Sequence, residues 1–163
     1  MKIELGLDTR IEPSTQEDLD YVQDNFREGE KMEQEAVGAG RDTLGLFEQC
    51  WTVWYKDERI GYCGIMLQYG QTILSNHRFI AYMSCENANK HKYYYVKQSR
   101  KVLKAIIDQV PPWVDTFHSL PDERYTGSIK WHERVLKMHR VGGFWYKNSK
   151  LVHFIIKRNE VQK

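Results

Sequence analysis

Residues 114–158 read VDTFHSLPDERYTGSIKWHERVLKMHRVGGFWYKNSKLVHFIIKR, and the order of structural elements in this stretch decides the fold. The run 114–118 alternates apolar and polar side chains until Ser119, Leu120 and Pro121 interrupt it, which predicts a short half-buried strand. From Ser128, residues at three- and four-residue steps form one stripe and predict a helix that faces a sheet: Ile129, His132, Val135, Leu136 and His139.

Gly142-Gly143 is predicted to end this helix, because glycine readily adopts the left-handed conformation found at helix C-termini. Arg140 complements the negative end of the helix dipole. Residues 144–146 and 151–156 then predict two strands, joined by the polar hairpin connection 147–150. The chain is therefore expected to end β-α-β-β.

The first part of the chain predicts one strand followed by two helices. The segment before Pro13 is the opening strand, and Ser14-Thr15-Gln16-Glu17 matches a capping box that starts a helix over 15–27. Residues 28–37 predict a second helix, which ends before Gly38-Ala39-Gly40.

The middle of the chain predicts a meander and a long helix. Aromatic and branched residues in 51–56 and 59–68 predict a hairpin that turns at Asp57-Glu58, and 79–83 predicts a further strand. Residues 90–110 predict a helix that Pro111-Pro112 stops. The full order is β-α-α-β-β-β-α-β-α-β-β, an α/β (mixed α+β) fold with one domain over 1–163 and a central mixed sheet covered by helices on both faces.

Composition narrows the class of protein. With 163 residues, 41% of them hydrophobic and 28% charged, the chain predicts an ordinary globular domain with a core of its own. The net charge of +2 gives no global basic field for nucleic acid. Three widely spaced cysteines without a Cys-x-x-Cys pair favour a reduced, intracellular protein. Neither a signal-peptide core nor a transmembrane segment is apparent, so we expect no secretion and no membrane association.

The element order, with a Gly-Phe after the last helix, resembles the GNAT superfamily of N-acyltransferases. Residues 93–114 and 122–146 are similar, more narrowly, to the small GNAT-like internal virion proteins of short-tailed phages. The residues that carry this resemblance are Lys97-Gln98-Ser99-Arg100-Lys101, Ile129-Lys130-Trp131 and Gly143-Phe144. It implies a location in the host cytoplasm or the virion, and other virion proteins as partners.

The GNAT resemblance implies acyl transfer from acetyl-CoA to an amine acceptor. Pantetheine would lie along a splayed strand edge, and a Gly-rich loop at a helix N-terminus would hold the pyrophosphate. The matching positions implied for the cofactor are Met83, Cys85, Lys90, His91, Lys92 and Lys97. The family usually carries Arg/Gln-x-x-Gly-x-Gly/Ala in this loop, whereas residues 85–92 read CENANKHK and contain no glycine. Lysine and histidine supply charge there, but not the close backbone approach that glycine permits.

Two residues are candidates for acid and base. His139, counted back from Gly143, falls where GNAT enzymes often place the acid that protonates the leaving thiolate; the alternative is packing on the helix stripe. Glu86, after the fourth strand, is a candidate general base; the alternative is a solvated loop carboxylate. The acidic residues of the second helix either attract a cationic amine or form a solvated face: Glu28, Glu30, Glu33 and Glu35.

Other classes of site receive less support. His132 and His139 are seven residues apart, whereas paired metal ligands on a helix prefer four, so no metal is expected. Tyr93-Tyr94-Tyr95 beside lysines has the composition of a single-stranded nucleic-acid surface, but a solvated basic helix face is the favoured interpretation.

Two functions therefore stay open. The first is an acetyl-CoA-dependent N-acyltransferase with an altered pyrophosphate loop, which the topology and the basic loop favour. The second is a non-catalytic GNAT-like virion or virion-assembly protein that acts through protein contacts, which the missing glycines favour.

Overall fold

Eight strands form one mixed sheet in the computed structural model, which describes residues 1–68 and 70–163, and their spatial order is β1-β2-β3-β4-β5-β6-β8-β7. The strands are β1 (Ile3–Gly6), β2 (Thr9–Pro13), β3 (Gln49–Tyr55), β4 (Glu58–Met66), β5 (His77–Ser84), β6 (Thr116–Ser119), β7 (His139–Tyr146) and β8 (Ser149–Lys157). The helices are α1 (Gln16–Asp24), α2 (Glu28–Val37), α3 (Glu86–Lys90), α4 (Lys92–Ile107), α5 (Thr126–Lys130) and α6 (Arg158–Val161), with a 3-10 turn at Leu44–Leu46 and a π turn at Trp131–Val135.

Helices pack on both faces of this sheet, as predicted. On one face, Leu19 and Val22 of α1, together with Phe26 just after it, are buried against Tyr62 and Cys85. On the other face, α4 contributes four residues to the larger core, where they join apolar side chains of the strands: Val102, Leu103, Ile106 and Ile107. Burial of these apolar side chains is the main force that holds both helix layers on the sheet. No helix in the described ranges has the length and apolar composition that a membrane crossing requires.

Strands β5 and β6 part after a short parallel ladder. The ladder runs from His77↔Thr116 to Phe79↔His118, and residues 80–84 of β5 are paired only with β4 on their other side. Strand β6 instead continues its pairing with β8, antiparallel. A gap therefore opens between β5 and β6 toward the carboxyl ends of both strands; we call it the β5–β6 gap.

Several predicted elements are confirmed. Helix α2 has the predicted bounds, and Gly38 ends it in the left-handed conformation with φ 63°. The capping box of α1 exists, but Thr15 and Asp18 form it, one residue later than the predicted box. The hairpin of β3 and β4 turns at Lys56 and Asp57.

One prediction fails in the first two thirds of the chain, and one short helix was not predicted. The single opening strand is a hairpin of β1 and β2, because Leu7 and Asp8 adopt positive φ angles of 52° and 58° and reverse the chain. The long helix predicted over 90–110 is observed as α4, and the short helix α3, which was not predicted, precedes it. His91, at φ −113°, leaves the helical conformation between α3 and α4.

The predicted end of the last long helix is wrong. The helix ends near Leu136, Lys137 is the left-handed residue at φ 58°, and β7 begins at His139. Gly142-Gly143 lies inside β7, opposite His153 and Val152 of β8. The physical reason is the longer β7–β8 ladder. Strand pairing provides hydrogen-bond partners for the backbone N–H and C=O groups of 139–143, and this outweighs the preference of glycine for a helix end. The order β-α-β-β itself is correct.

Candidate active site

A cleft of about 380 Å³ lies at the mouth of the β5–β6 gap. It is lined by Arg27, Glu30, Glu33, Tyr82, Ala88, Asn89, Lys92, Tyr95, Val96, Tyr125, Gly127, Ser128, Lys130, Trp131, Arg134 and Val135. These residues come from α2, β5, α3, α4, the start of α5 and the π turn. Four helices, the π turn and β5 thus converge on this one cleft.

The aromatic floor of the cleft centres on Trp131. Its ring lies 4.9 Å from the Tyr82 ring and stacks on Tyr95 at 5.9 Å and 15°. Its Nε1 donates to Ser99 Oγ at 3.0 Å. Trp131 is the first residue of the π turn, a local widening that is frequent at functional sites. Burial raises the pKa of Tyr95 to about 12, so its phenol is protonated at neutral pH.

The acidic wall of the cleft is built around a buried ion pair. Arg27 Nη2 lies 2.6 Å from Glu30 Oε1, and the Glu30 side chain is only 4% exposed. Ser84 Oγ, at the end of β5, donates to the same oxygen at 2.6 Å. Tyr125 packs against Gly29 so closely that an added Cβ would lie 2.1 Å from its ring, and its hydroxyl donates to Glu30 Oε2 at 3.4 Å.

Glu33 lies one helical turn beyond Glu30 on the same wall. Its Oε1 accepts a hydrogen bond of 3.0 Å from the backbone N–H of Asp122. Burial raises the pKa of Glu33 to about 7, and the neighbouring carboxylates of Glu30 and Asp122 add to the rise. This carboxyl group is therefore close to half-ionised at neutral pH.

Cations line the other side of the cleft. Lys92 comes from the start of α4, Lys130 from the end of α5 and Arg134 from the π turn. Within residues 1–68 and 70–163, none of the three is engaged in an ion pair. The cleft therefore has one acidic wall and one basic wall, an arrangement suited to a cationic group and an anionic group at the same time.

Of the six residues predicted to bind the cofactor, Lys92 lines the cleft and the other five are not among its lining residues. Met83 packs against the α1 core cluster, and the buried Cys85 directs its thiol at the Arg59 carbonyl, 3.2 Å away. Lys90 and His91 both bind Glu58, at 2.6 and 2.7 Å. Lys97 extends over the Tyr93 ring.

The two predicted catalytic residues also lie outside the lining of the cleft. Glu86 is exposed at the first position of α3. His139 is on β7 rather than on the helix, and its Nε2 lies 2.7 Å from Glu160 Oε1.

Three backbone N–H groups at the end of β5 and the start of α3 are bonded within the protein. The backbone N–H groups of Cys85, Glu86 and Ala88 donate to the carbonyls of Ile60, Asn25 and Cys85, at 2.9 to 3.0 Å. Protein carbonyls therefore occupy these three donors. The three cations on the basic wall carry the charge that suits phosphate groups, and they are the residues that fit a nucleotide-linked thioester.

The sequence contains weak signals for some of the cleft residues that were not predicted from it. Trp131 belongs to the Ile129-Lys130-Trp131 motif, but no feature of the neighbouring sequence indicated that its ring would lie at the β5–β6 gap. Arg27 immediately precedes a helix with several acidic residues, which is a weak signal for an ion pair. Tyr82, Tyr125 and Arg134 meet at the cleft only because three separate elements converge there.

Comparison of the whole structure with solved structures gives consistent similarities. Aminoglycoside acetyltransferase AAC(6')-Ib, solved with ribostamycin and coenzyme A, matches with a TM-score of 0.71 and 15% identity, over 96% of this chain and 97% of that one. A GNAT-family acetyltransferase from Bacillus anthracis matches with a TM-score of 0.69 and 13% identity, over 98% and 99%. Spermidine N-acetyltransferase from Vibrio cholerae, solved with CoA and spermine, matches with a TM-score of 0.70 and 7% identity, over 97% and 100%.

Sequence comparisons give no such similarity: no protein-family model matches the chain, and no curated protein matches it. At 7 to 15% identity the structural similarities establish the fold and not the chemistry. They cover nearly the full length of both partners in each pair. The chain therefore has the fold of the GNAT acetyltransferases.

Proposed function

We propose that this protein is an acetyl-CoA-dependent N-acyltransferase that acetylates an amine. The observation that carries the proposal is the β5–β6 gap, which opens into a cleft with one acidic and one basic wall. The unpaired edge of β5 offers backbone groups to an amide-containing pantetheine arm, as a neighbouring strand would. The basic wall suits the phosphates of acetyl-CoA, and the acidic wall suits an ammonium group.

Support also comes from what the similar structures contain. The aminoglycoside and spermidine acetyltransferases were solved with coenzyme A and with polyamine-like ligands, ribostamycin and spermine. In the proposed reaction acetyl-CoA is a substrate that supplies the acetyl group as a thioester. Lys92, Lys130 and Arg134 replace the glycine-rich loop as phosphate contacts, and Trp131 moves aside to admit the pantetheine arm.

Thermal unfolding in the presence of acetyl-CoA tests the proposal. Ligand at one hundred times its Kd stabilises the folded state by about 2.7 kcal/mol, and each kcal/mol raises Tm by roughly 2–4 °C in a domain of this size. Lys92→Ala should weaken binding roughly ten- to hundredfold, since a charge-assisted contact is worth roughly 1.5–3 kcal/mol. Lys101→Ala is the matched control, because Lys101 is exposed on the same helix and does not line the cleft. An unchanged Tm at millimolar acetyl-CoA would reject the proposal.

A second candidate is the non-catalytic virion or virion-assembly protein of a short-tailed phage. It is favoured by β7, in which all eight residues are exposed, including Val141, Phe144, Trp145 and Tyr146. Exposed aromatic residues on an edge strand are typical of protein interfaces. Co-purification with virion proteins, lost on Trp145→Ser and independent of acetyl-CoA, would support this candidate over the enzyme.

A further inference from the structure

We propose that Glu33 is the general base of this protein, and that it takes a proton from an acceptor that enters the cleft as a cationic alkylamine. The inference rests on the proposed acyltransferase function and assigns its acceptor side. It is carried by the position, hydrogen bonding and charge surroundings of Glu33 on the acidic wall.

Only two of the four acidic residues of α2 face the cleft. At about 100° per residue, Glu30 and Glu33 lie on the opposite side of the helix from Glu28 and Glu35. Glu28 and Glu35 are exposed, whereas Glu30 and Glu33 line the cleft. The packing of α2 thus selects one pair for contact with a ligand.

Within that pair, Glu33 is the residue whose carboxylate has an oxygen available to a ligand. Arg27 and Ser84 bind Glu30 Oε1, while Arg27 and Tyr125 bind its Oε2. Glu33 has one contact, from the Asp122 N–H to Oε1. In the described part of the chain, no hydrogen bond forms to Glu33 Oε2. One oxygen therefore fixes the carboxylate and the other is available to a substrate proton.

Among the carboxylates around the acidic wall, Glu33 forms no ion pair within the described residues. Arg27 neutralises Glu30, and Arg124 binds Asp122 with Nη2 2.8 Å from Oδ2. In the same loop, Tyr125 is neutral and Glu123 pairs with Lys150 at 3.3 Å and with Arg140 at 3.7 Å. The cations Lys92, Lys130 and Arg134 belong to the basic wall. A cationic ligand beside Glu33 would balance the remaining charge, which a neutral amine would not do.

The proposed acetyl transfer needs no reactant beyond the amine and acetyl-CoA. Glu33 takes one proton from the ammonium, and the freed nitrogen lone pair attacks the thioester carbonyl. The carbon–sulfur bond breaks, the coenzyme leaves as a thiolate, and the second nitrogen proton goes to that thiolate. The products are the N-acetyl amine, CoA and a proton on Glu33, which passes to water. The raised pKa of Glu33, about 7, suits a base that works near neutrality.

Glu33→Gln in the full chain tests the assignment, with Glu35→Gln as the matched surface control. The assay follows acetylation of spermine, of ribostamycin and of 4-methylaniline, an amine that is neutral at pH 7, with acetyl-CoA as donor. The wild type and Glu35→Gln should acetylate an alkylamine probe and not the aniline. Glu33→Gln should lower kcat/KM by 100-fold or more, within the range for general-base catalysis, while acetyl-CoA still raises Tm as in the wild type.

The pH profile separates a base from a structural residue. In the wild type kcat/KM should rise through pH 7 and level off, whereas in Glu33→Gln this step should vanish and activity should climb only toward the pKa of the free amine. Loss of less than threefold, or an unchanged profile, would overturn the role of Glu33. Acetyl-CoA binding by a wild type that acetylates neither alkylamine probe would overturn the cationic acceptor, whereas absence of acetyl-CoA binding would reject the proposed function instead.

Discussion

Ser84 Oγ donates a 2.6 Å hydrogen bond to Glu30 Oε1 and so joins the last residue of β5 to helix α2. Both side chains are buried, and the same carboxylate binds Arg27. This network positions the acidic wall of the cleft relative to the strand edge on which the proposed thioester would lie. A buried charge of this kind is stable only while its partners remain in place.

Glu30→Gln should therefore destabilise the fold. The substitution leaves the Arg27 guanidinium in a largely buried site without its counter-ion, and breaking such a pair costs about 3–5 kcal/mol. Urea unfolding followed by circular dichroism measures the loss. Glu28→Gln, on the exposed side of the same helix, should change stability by less than about 0.5 kcal/mol. Equal effects of the two substitutions would contradict the role given to the ion pair.

His132 should make stability depend on pH below neutrality. Its Nδ1 donates to the Ser128 carbonyl at 2.7 Å, it hydrogen-bonds Ser119 Oγ at 2.8 Å, and burial lowers its pKa from 6.5 to about 4. Between pH 6.5 and pH 4 the unfolded chain therefore binds a proton that the folded protein does not, so stability falls as pH falls. At pH 4.5 the loss from this residue is roughly 2–3 kcal/mol.

Comparison of unfolding free energies at pH 7 and pH 4.5 checks this prediction. In His132→Gln, which cannot titrate, the drop between the two pH values should be smaller by that amount. His139→Gln, on the surface, should retain the full drop. A drop of the same size in His132→Gln and in the wild type would show that the buried imidazole is not the cause.

Trp131 should report directly on occupation of the β5–β6 gap. Its indole stacks on Tyr95 and contacts Tyr82, so a pantetheine arm that enters the gap beside these rings should change the fluorescence of Trp131. Acetyl-CoA should alter the emission of the wild type, and Trp131→Phe should lose most of that change. Trp113→Phe, at a half-exposed ring whose Nε1 donates to the Ile73 carbonyl, is the control. Persistence of the change in Trp131→Phe would place acetyl-CoA elsewhere.

The sequence predicted elements whose ends carry local signals. Helix α2 was predicted to its terminal residues because Gly38 marks its end, and the β3–β4 hairpin because its polar turn interrupts two apolar runs. The residues of the cleft were harder to predict. Periodicity separates Glu30 and Glu33 from Glu28 and Glu35, but only packing against β5 and the 121–125 loop decides which pair faces inward.

The end of the last long helix shows the opposite case, a local signal that non-local pairing overrides. Gly142-Gly143 had the composition of a helix end, yet the ladder with β8 draws both residues into β7. The chain turns instead at Lys137, a residue type with no preference for a positive φ. No local feature of Lys137 distinguishes it from the many lysines of this chain.

Lys137→Gly should consequently stabilise the protein. Lysine at φ 58° carries a steric cost of about 1–2 kcal/mol, which glycine does not have, while glycine costs about 0.5–1 kcal/mol in chain entropy. The difference favours the variant by roughly 0.5–1 kcal/mol. The side chain is exposed, and the Met138 N–H that closes the turn on the His132 carbonyl at 2.9 Å is unaffected.

Chemical unfolding of Lys137→Gly beside Lys104→Gly gives the measurement. Lys104 lies inside α4 in ordinary helical conformation, so glycine there should destabilise by about 1 kcal/mol. The two substitutions remove the same side chain and should have opposite signs, because only Lys137 has the left-handed backbone. Destabilisation by both would mean that the helix does not end at Lys137, and that β7 does not begin at His139.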